Sequence, residues 1–157
     1  MTSRIKALMV HHNSETLVIL RGALERQGMQ ILHAQSRAQA KRMLGGLDPL
    51  PLVFTDTQLP DGTWADILAL AERAAKPVNV IVVARIVDTR FYVEAIETGA
   101  FDFLAPPFND ADLAYVVRSA HENVISRRAA PPTRHPKRLE EGDLPEIAEA
   151  GVRSTAG

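Results

Sequence analysis

The segment "LVFTDTQLPDG", Leu52 to Gly62, changes character at one residue. Leu52 to Thr55 is a short apolar and β-branched run of the kind a fully buried strand shows. The run stops at Asp56, and Pro60-Asp61-Gly62 supplies strong turn chemistry just beyond it. A carboxylate at the end of a buried strand matters because open α/β sheets bind ligands outside the carboxyl ends of their strands.

The same switch of period recurs on both sides. Upstream, Ile5 to Val10 reads as a buried strand, and Asn13 or Ser14 can cap the helix that follows, with Glu15 suited to its dipole. Leu17, Leu20, Ala23 and Leu24 mark one face of that helix, and Gly28 stops it. Met29 to Ala34 is a second strand, the least apolar and so expected at an edge. Ser36 starts a second helix with Ala40, Met43, Leu44 and Leu47 directed inward, followed by Pro49 and Pro51 in a turn. Downstream, Ala65, Ile67, Leu68, Leu70 and Ala71 form a third helix, ending before Pro77. Val78 to Ala84 is the most β-branched run and is expected to be a central strand. Asp88 can cap a fourth helix carrying Phe91, Val93, Ala95 and Ile96, stopped by Gly99. Phe101 to Leu104 is a fifth strand, and Asn109 or Asp110 caps a long last helix with Leu113, Val116, Val117, Ala120 and Val124 at helical spacing.

Five strands alternating with five helices predict a parallel sheet with helices on both faces. The fold class is therefore α/β, a flavodoxin-like (βα)5 three-layer sandwich with strand order 2-1-3-4-5. That order makes the first and third strands neighbours. It brings "HH", His11 and His12, to the same rim as Asp56, beside the loops after Ala84 and Leu104.

Bulk composition narrows the function classes. The 157 residues suit one domain, and 46% hydrophobic with 24% charged residues suits an ordinary globular core. With 18 Lys+Arg against 19 Asp+Glu, no global charge draws the chain to nucleic acid or membrane. The absence of cysteine excludes disulfides, thiolate metal sites and a cysteine nucleophile. No apolar run approaches the roughly 20 residues a membrane span needs, and Leu8 to Val10 is too short for a signal-peptide core. The expected location is cytoplasmic.

After Arg128 the composition shifts. Residues 1–128 read as the domain. Residues 129–157, "AAPPTRHPKRLEEGDLPEIAEAGVRSTAG", read as a Pro- and charge-rich tail, mostly disordered, with a weak helix possible over Leu144 to Ala150. Its basic block, Arg134, Lys137 and Arg138, runs straight into acids, a weak footprint for nucleic acid.

Two motifs carry a resemblance. "LVFTDTQLPDG" is similar to the phosphoacceptor segment of two-component response-regulator receiver domains, and "GAFDFLAPPF", Gly99 to Phe108, resembles their fifth strand and the loop after it. The resemblance spans about Ser3 to Arg128. It implies a module that takes a phosphoryl group from a histidine kinase onto one aspartate. In that family two acidic residues after the first strand hold Mg²⁺ with the acceptor. A Thr or Ser ends the fourth strand, and a Lys before a Pro follows the fifth.

Carried onto this chain, Asp56 keeps the acceptor position. The acidic pair has become His11 and His12, the hydroxyl position Ala84 and the lysine position Pro106. The aromatic switch position is Phe103, without a tyrosine's hydroxyl. Mg²⁺ prefers carboxylate and water to imidazole, Ala84 offers no donor and Pro106 no charge. The chain thus reads as an atypical receiver, a pseudo-receiver, acting in signal transduction by protein–protein contact and not as an enzyme. Efficient Mg²⁺-dependent phosphotransfer and a resident cofactor are not expected. His11 and His12 read first as polar loop residues of a decayed site, one of them bonded to Asp56. The alternatives are a working phosphoacceptor that uses Asp56 in a phosphorelay with altered metal or donor requirements, the one case that calls for Mg²⁺, and a pH-sensing or transition-metal module built from His11, His12 and Asp56.

Expected partners are a histidine kinase or a downstream regulator. Homodimerisation would use the face of the fourth helix, fifth strand and fifth helix. Arg85, after Ala84, reads as a solvated loop arginine or, alternatively, as a positive partner for Asp56, and Trp64 and Tyr92 read as packing or surface residues. The family's Lys-Pro bond is typically cis, so the Pro106-Pro107 bond is expected to be cis.

Overall fold

A computed structural model describes residues 4–130. Its elements alternate as the periodicity requires: β1 (Lys6–Val10), α1 (Glu15–Arg26), β2 (Gln30–Ala34), α2 (Arg37–Leu44), β3 (Leu52–Asp56), a ribbon of β4 (Gln58–Leu59) and β5 (Gly62–Thr63), α3 (Trp64–Glu72), β6 (Asn79–Val83), α4 (Thr89–Thr98), β7 (Asp102–Leu104) and α5 (Asp110–Ala129). The main sheet is parallel in the order β2-β1-β3-β6-β7. With the antiparallel ribbon set aside, this is the flavodoxin-like order 2-1-3-4-5.

Alternation along the strands divides the core in two. Ala7, Met9, Leu52, Phe54, Ile81 and Val83 face α1 and α5, meeting Leu17, Leu20, Leu113, Val117 and Val124. Leu8, Val10, Val53, Val80 and Val82 face α2, α3 and α4, meeting Ala40, Ile67, Leu68 and Ala95. β3 and β6 are buried at every position, so their unbroken apolar runs reflect cover on both faces. Asp56 is the last residue of β3 and pairs in register with Val83, while Thr55 lies opposite Val10. The Asp56 carboxylate therefore sits at one rim with the ends of β1 and β6.

Helix starts follow the side-chain chemistry. Ser14, Ser36, Asp88 and Asn109 each accept an amide from the first turn of α1, α2, α4 and α5. Thr63 and Asp66 form a capping box at α3. Gly28, at φ +92, makes the left-handed exit from α1 that other residues resist.

Several expectations need correction. Leu47 is 86% exposed because α2 ends at Leu44 and leaves it in the following loop. Val93 and Ile96 ride on α4 as expected and are partly exposed, while Ala95 alone of that helix is fully covered. The Val78–Ala84 run does form an interior strand, β6, between β3 and β7 and buried at every position. The strands predicted from Met29 and Phe101 start one residue later, at Gln30 and Asp102, and the "DTQLPDG" loop carries the short ribbon. The last helix runs to Ala129, one residue past the expected boundary. The tail beyond residue 130, including the helix considered at Leu144 to Ala150, lies outside the described residues.

Candidate functional site

The loops after β1, β3, β6 and β7 meet around Asp56. Its side chain is nearly covered, and Oδ1 accepts the Thr57 backbone N–H at 2.7 Å. Burial pushes the Asp56 carboxyl up from its ordinary range, opposed by the Thr57 amide and by the nearby Arg85 guanidinium. Arg85 is exposed, yet its charge acts on Asp56, so it serves as the positive partner that its place after Ala84 suggests.

The two histidines do different things. His11 extends the β1 ladder by one residue, its N–H donating to the Ala34 carbonyl at 3.0 Å. It falls in phase with Ala7 and Met9, on the side of the sheet that α1 covers. There it is 4% exposed. Its Nδ1 accepts the backbone N–H of Ser14 at 3.1 Å, so that nitrogen carries no proton. Its ring stacks on His33, which lies in phase with Ile31 on neighbouring β2, with centroids 4.3 Å apart. The His33 Nε2–H donates to the His11 carbonyl at 3.0 Å. Burial, with His33, Arg21 and His12 adding like charge, lowers the His11 pKa to about 4. His12, one residue on, is exposed, and its Nε2 accepts from the Asn13 amide at 3.3 Å.

The predicted rim is thus assembled, but its members are engaged separately. Among the described residues no hydrogen bond joins either histidine to Asp56, and no three His, Asp or Glu side chains are grouped to hold a metal ion. Ala84 closes the end of β6, its N–H donating to the Leu104 carbonyl at 2.8 Å. Pro106 follows β7, and the Pro106-Pro107 bond is cis. Phe103 is half-buried and stands edge-on to both Phe91 and Tyr92, and Phe91 meets Trp64 edge-on at 5.3 Å. Trp64 and Tyr92 are packing residues in this aromatic row.

Asp61 does more than turn the chain. Its two carboxylate oxygens accept the backbone N–H groups of Arg37 (2.7 Å) and Ala38 (3.0 Å), the first residues of α2. Those amides hold the Asp61 carboxyl below its ordinary range. A Cβ on Gly62 would meet an Asp66 oxygen at 2.5 Å and the Arg37 Cδ at 3.0 Å, so the loop after Asp56 lies tight against α2 and α3. In the sequence Asp61 reads as a turn former, and the one signal for His33 is its place two residues from Ile31 on an edge strand.

A parallel five-stranded sheet in this order, with an acidic residue ending its central strand, is a flavodoxin-like α/β domain with its candidate site at the carboxyl ends of the strands. The family comparison agrees: the model of the response regulator receiver domain matches residues 7–118, and the chain belongs to that family. It is 31% identical over 120 residues to the response regulator protein PilR of Pseudomonas aeruginosa, covering 75% of this chain and 26% of PilR. It is 33% identical over 97 residues to the transcriptional regulatory protein VxrB of Vibrio cholerae, covering 62% and 38%. The chain therefore spans well under half the length of these relatives. A receiver domain protein from Clostridium thermocellum superposes with a TM-score of 0.64 at 25% identity, covering 75% of this chain and 94% of that one. The beryllofluoride-activated NtrC4 receiver domain dimer gives a TM-score of 0.63 at 23% identity, covering 76% and 98%, a likeness of fold.

Proposed function

We propose that this chain is an atypical receiver that passes a signal by protein contact, and that it does not run Mg²⁺-dependent phosphotransfer efficiently. The observation that carries this reading is the set of side chains around Asp56: imidazole, imidazole, methyl and pyrrolidine at the carboxyl ends of β1, β6 and β7. A phosphoryl group and a carboxylate repel unless cations and hydrogen-bond donors neutralise the charge between them, and each well-placed stabiliser is worth about 10²–10³ in rate. Mg²⁺ wants oxygen ligands. Nδ1 of His11 is taken by the Ser14 amide, His12 turns to Asn13, and Asp56 is the carboxylate that remains. This donor set does not suit Mg²⁺.

The contact surface would be the face of α4, β7 and α5. Ile86, Val87, Tyr92, Val93 and Tyr115 are apolar or aromatic and between 43% and 74% exposed. A hollow of about 390 Å³ opens between Val87, Tyr92, Phe103 and Leu104. A histidine kinase, a downstream regulator or a second copy of the domain would meet this face; the NtrC4 receiver, alike in fold, is a dimer in its activated form. Among the described residues no helix is long and apolar enough to cross a membrane.

Incubation with acetyl phosphate and Mg²⁺, read by intact mass, tests the reading. The unmodified mass is expected. A stable gain of about 80 Da that disappears in Asp56→Asn would establish a working phosphoacceptor instead.

A further inference from the structure

At the amino ends of the strands, away from Asp56, the chain has a second cleft, of about 570 Å³, between the end of α3, the start of β6, the end of α4 and the last turns of α5. Its floor includes Leu68, Ala71 and Val80, and its charged lining is Lys76, Arg127 and Glu72. The wall contributed by α5 is held in place. Asn79 is 6% exposed and donates to the Ala120 carbonyl and to Asn123 Oδ1, both at 2.9 Å, while accepting from Arg127 at 2.9 Å. Arg128 donates to the carbonyls of Pro49 (2.7 Å) and Pro77 (2.9 Å). The remaining acid nearby, Asp48, is shared between Lys76 at 3.7 Å and Arg128 at 3.3 Å. Two cations thus line the cleft against one carboxylate, and Arg127 has no carboxylate partner among the described residues.

The chain that follows α5 starts at this wall. Residues 131–138 can span at most about 28 Å when extended. Residues 139–149, "LEEGDLPEIAE", hold five carboxylates, Glu140, Glu141, Asp143, Glu146 and Glu149, with no lysine or arginine, and intersperse Leu139, Leu144 and Ile147. Closing so short a connection costs little entropy compared with bringing in a separate molecule. We infer that this cleft is the docking surface of the chain's own acidic segment, residues 139–149, whose carboxylates meet Lys76 and Arg127 while its apolar side chains cover the Leu68–Ala71–Val80 floor.

Zero-length carbodiimide cross-linking of the full chain at low concentration, read by peptide mass, tests this. The Lys76–Asp48 pair is already close and serves as the internal reference. The expected product joins Lys76 to an acid of residues 139–149 within one chain. It should fall at least tenfold in Glu140→Lys/Glu141→Lys/Asp143→Lys, while the Lys76–Asp48 product persists. Three results would overturn the inference: the reference product with no link to the tail, tail links to Lys6 and Lys41 as frequent as those to Lys76, or tail links found only between chains.

Discussion

The imidazole of His11 lies on that of His33, their planes 26° apart, and its Nδ1 receives the amide of Ser14, the residue that caps α1. Where the family resemblance implies a charged metal ligand, this chain has a buried neutral ring serving as part of a helix terminus. That ring anchors α1 and brings no charge to the rim around Asp56.

Acid should loosen this anchor. The His11 pKa falls from 6.5 to about 4 on folding, so between those values the unfolded chain binds more protons than the folded one. Stability is full above pH 6.5 and declines as pH falls toward 4, by up to about 1.4 kcal/mol per pH unit for this group. Protonation also forfeits the Ser14 hydrogen bond. Denaturant midpoints measured from pH 7 to 4 should show this slope, and His11→Asn, which keeps an acceptor for Ser14 without titrating, should flatten it. An equal slope in both proteins would assign the acid sensitivity elsewhere.

Restoring the acids alone should not restore phosphorylation. His11→Asp/His12→Asp supplies oxygen ligands, but Ala84 and Pro106 still offer neither donor nor charge. Adding Ala84→Thr and Pro106→Lys is expected to raise the acetyl phosphate rate by at least about 10²-fold over the double variant, since each stabiliser is worth that order. Intact mass with and without Mg²⁺ measures it. The aspartate pair should also lower the thermal midpoint, because a charged carboxylate would take the place of the covered His11 ring, which is 4% exposed.

Most of the fold could be read from periodicity and punctuation. Ser14, Ser36, Asp88 and Asn109 cap helices as their side chains suggest, and the apolar spacing of Leu113, Val116, Val117, Ala120 and Val124 places α5 correctly against the sheet. Asp56 and its neighbours could be placed because a parallel sheet of this order fixes which strand ends meet. What could not be read depends on side-chain partners far away in the chain. Asp61 looks like any turn aspartate until α2's first amides are seen against it, and Asn79 looks like a weak start to a β-branched strand until α5 supplies Asn123 and Arg127. Leu47 misled because helical spacing continued on paper past Leu44, where the helix stops.

The Asn79 cluster should account for much of α5's attachment. Asn79→Ala strands the Arg127 guanidinium and the Asn123 side chain together, at a cost of about 1–3 kcal/mol in denaturant unfolding. Amide exchange over the last turns of α5 should speed up in parallel. A loss below about 0.5 kcal/mol would mean water replaces the side chain without penalty.

Asp61 should brace the loop after Asp56. Because its carboxyl is held below the ordinary range by the Arg37 and Ala38 amides, its contribution is present above the unfolded value near 3.8 and is lost as pH falls through the lower folded value. Asp61→Ala should raise amide exchange at Arg37 and Ala38 at neutral pH. Unchanged exchange there would show that Ser36 alone holds the start of α2.

The exposed residues of α4 should matter to association and not to stability. Val93 is 44% and Ile96 36% exposed, and neither belongs to the core. Surface substitutions away from packed features usually change stability by less than about 0.5 kcal/mol. Val93→Glu/Ile96→Glu should therefore leave the unfolding midpoint where it is and remove the self-association expected of the unsubstituted chain in sedimentation equilibrium. Contiguous apolar surface on a small domain marks an interaction site, and two carboxylates on one helix face would repel their symmetry mates across a two-fold interface. A chain that sediments as a monomer over the whole concentration range would leave this face to a different protein and remove the homodimer from the reading.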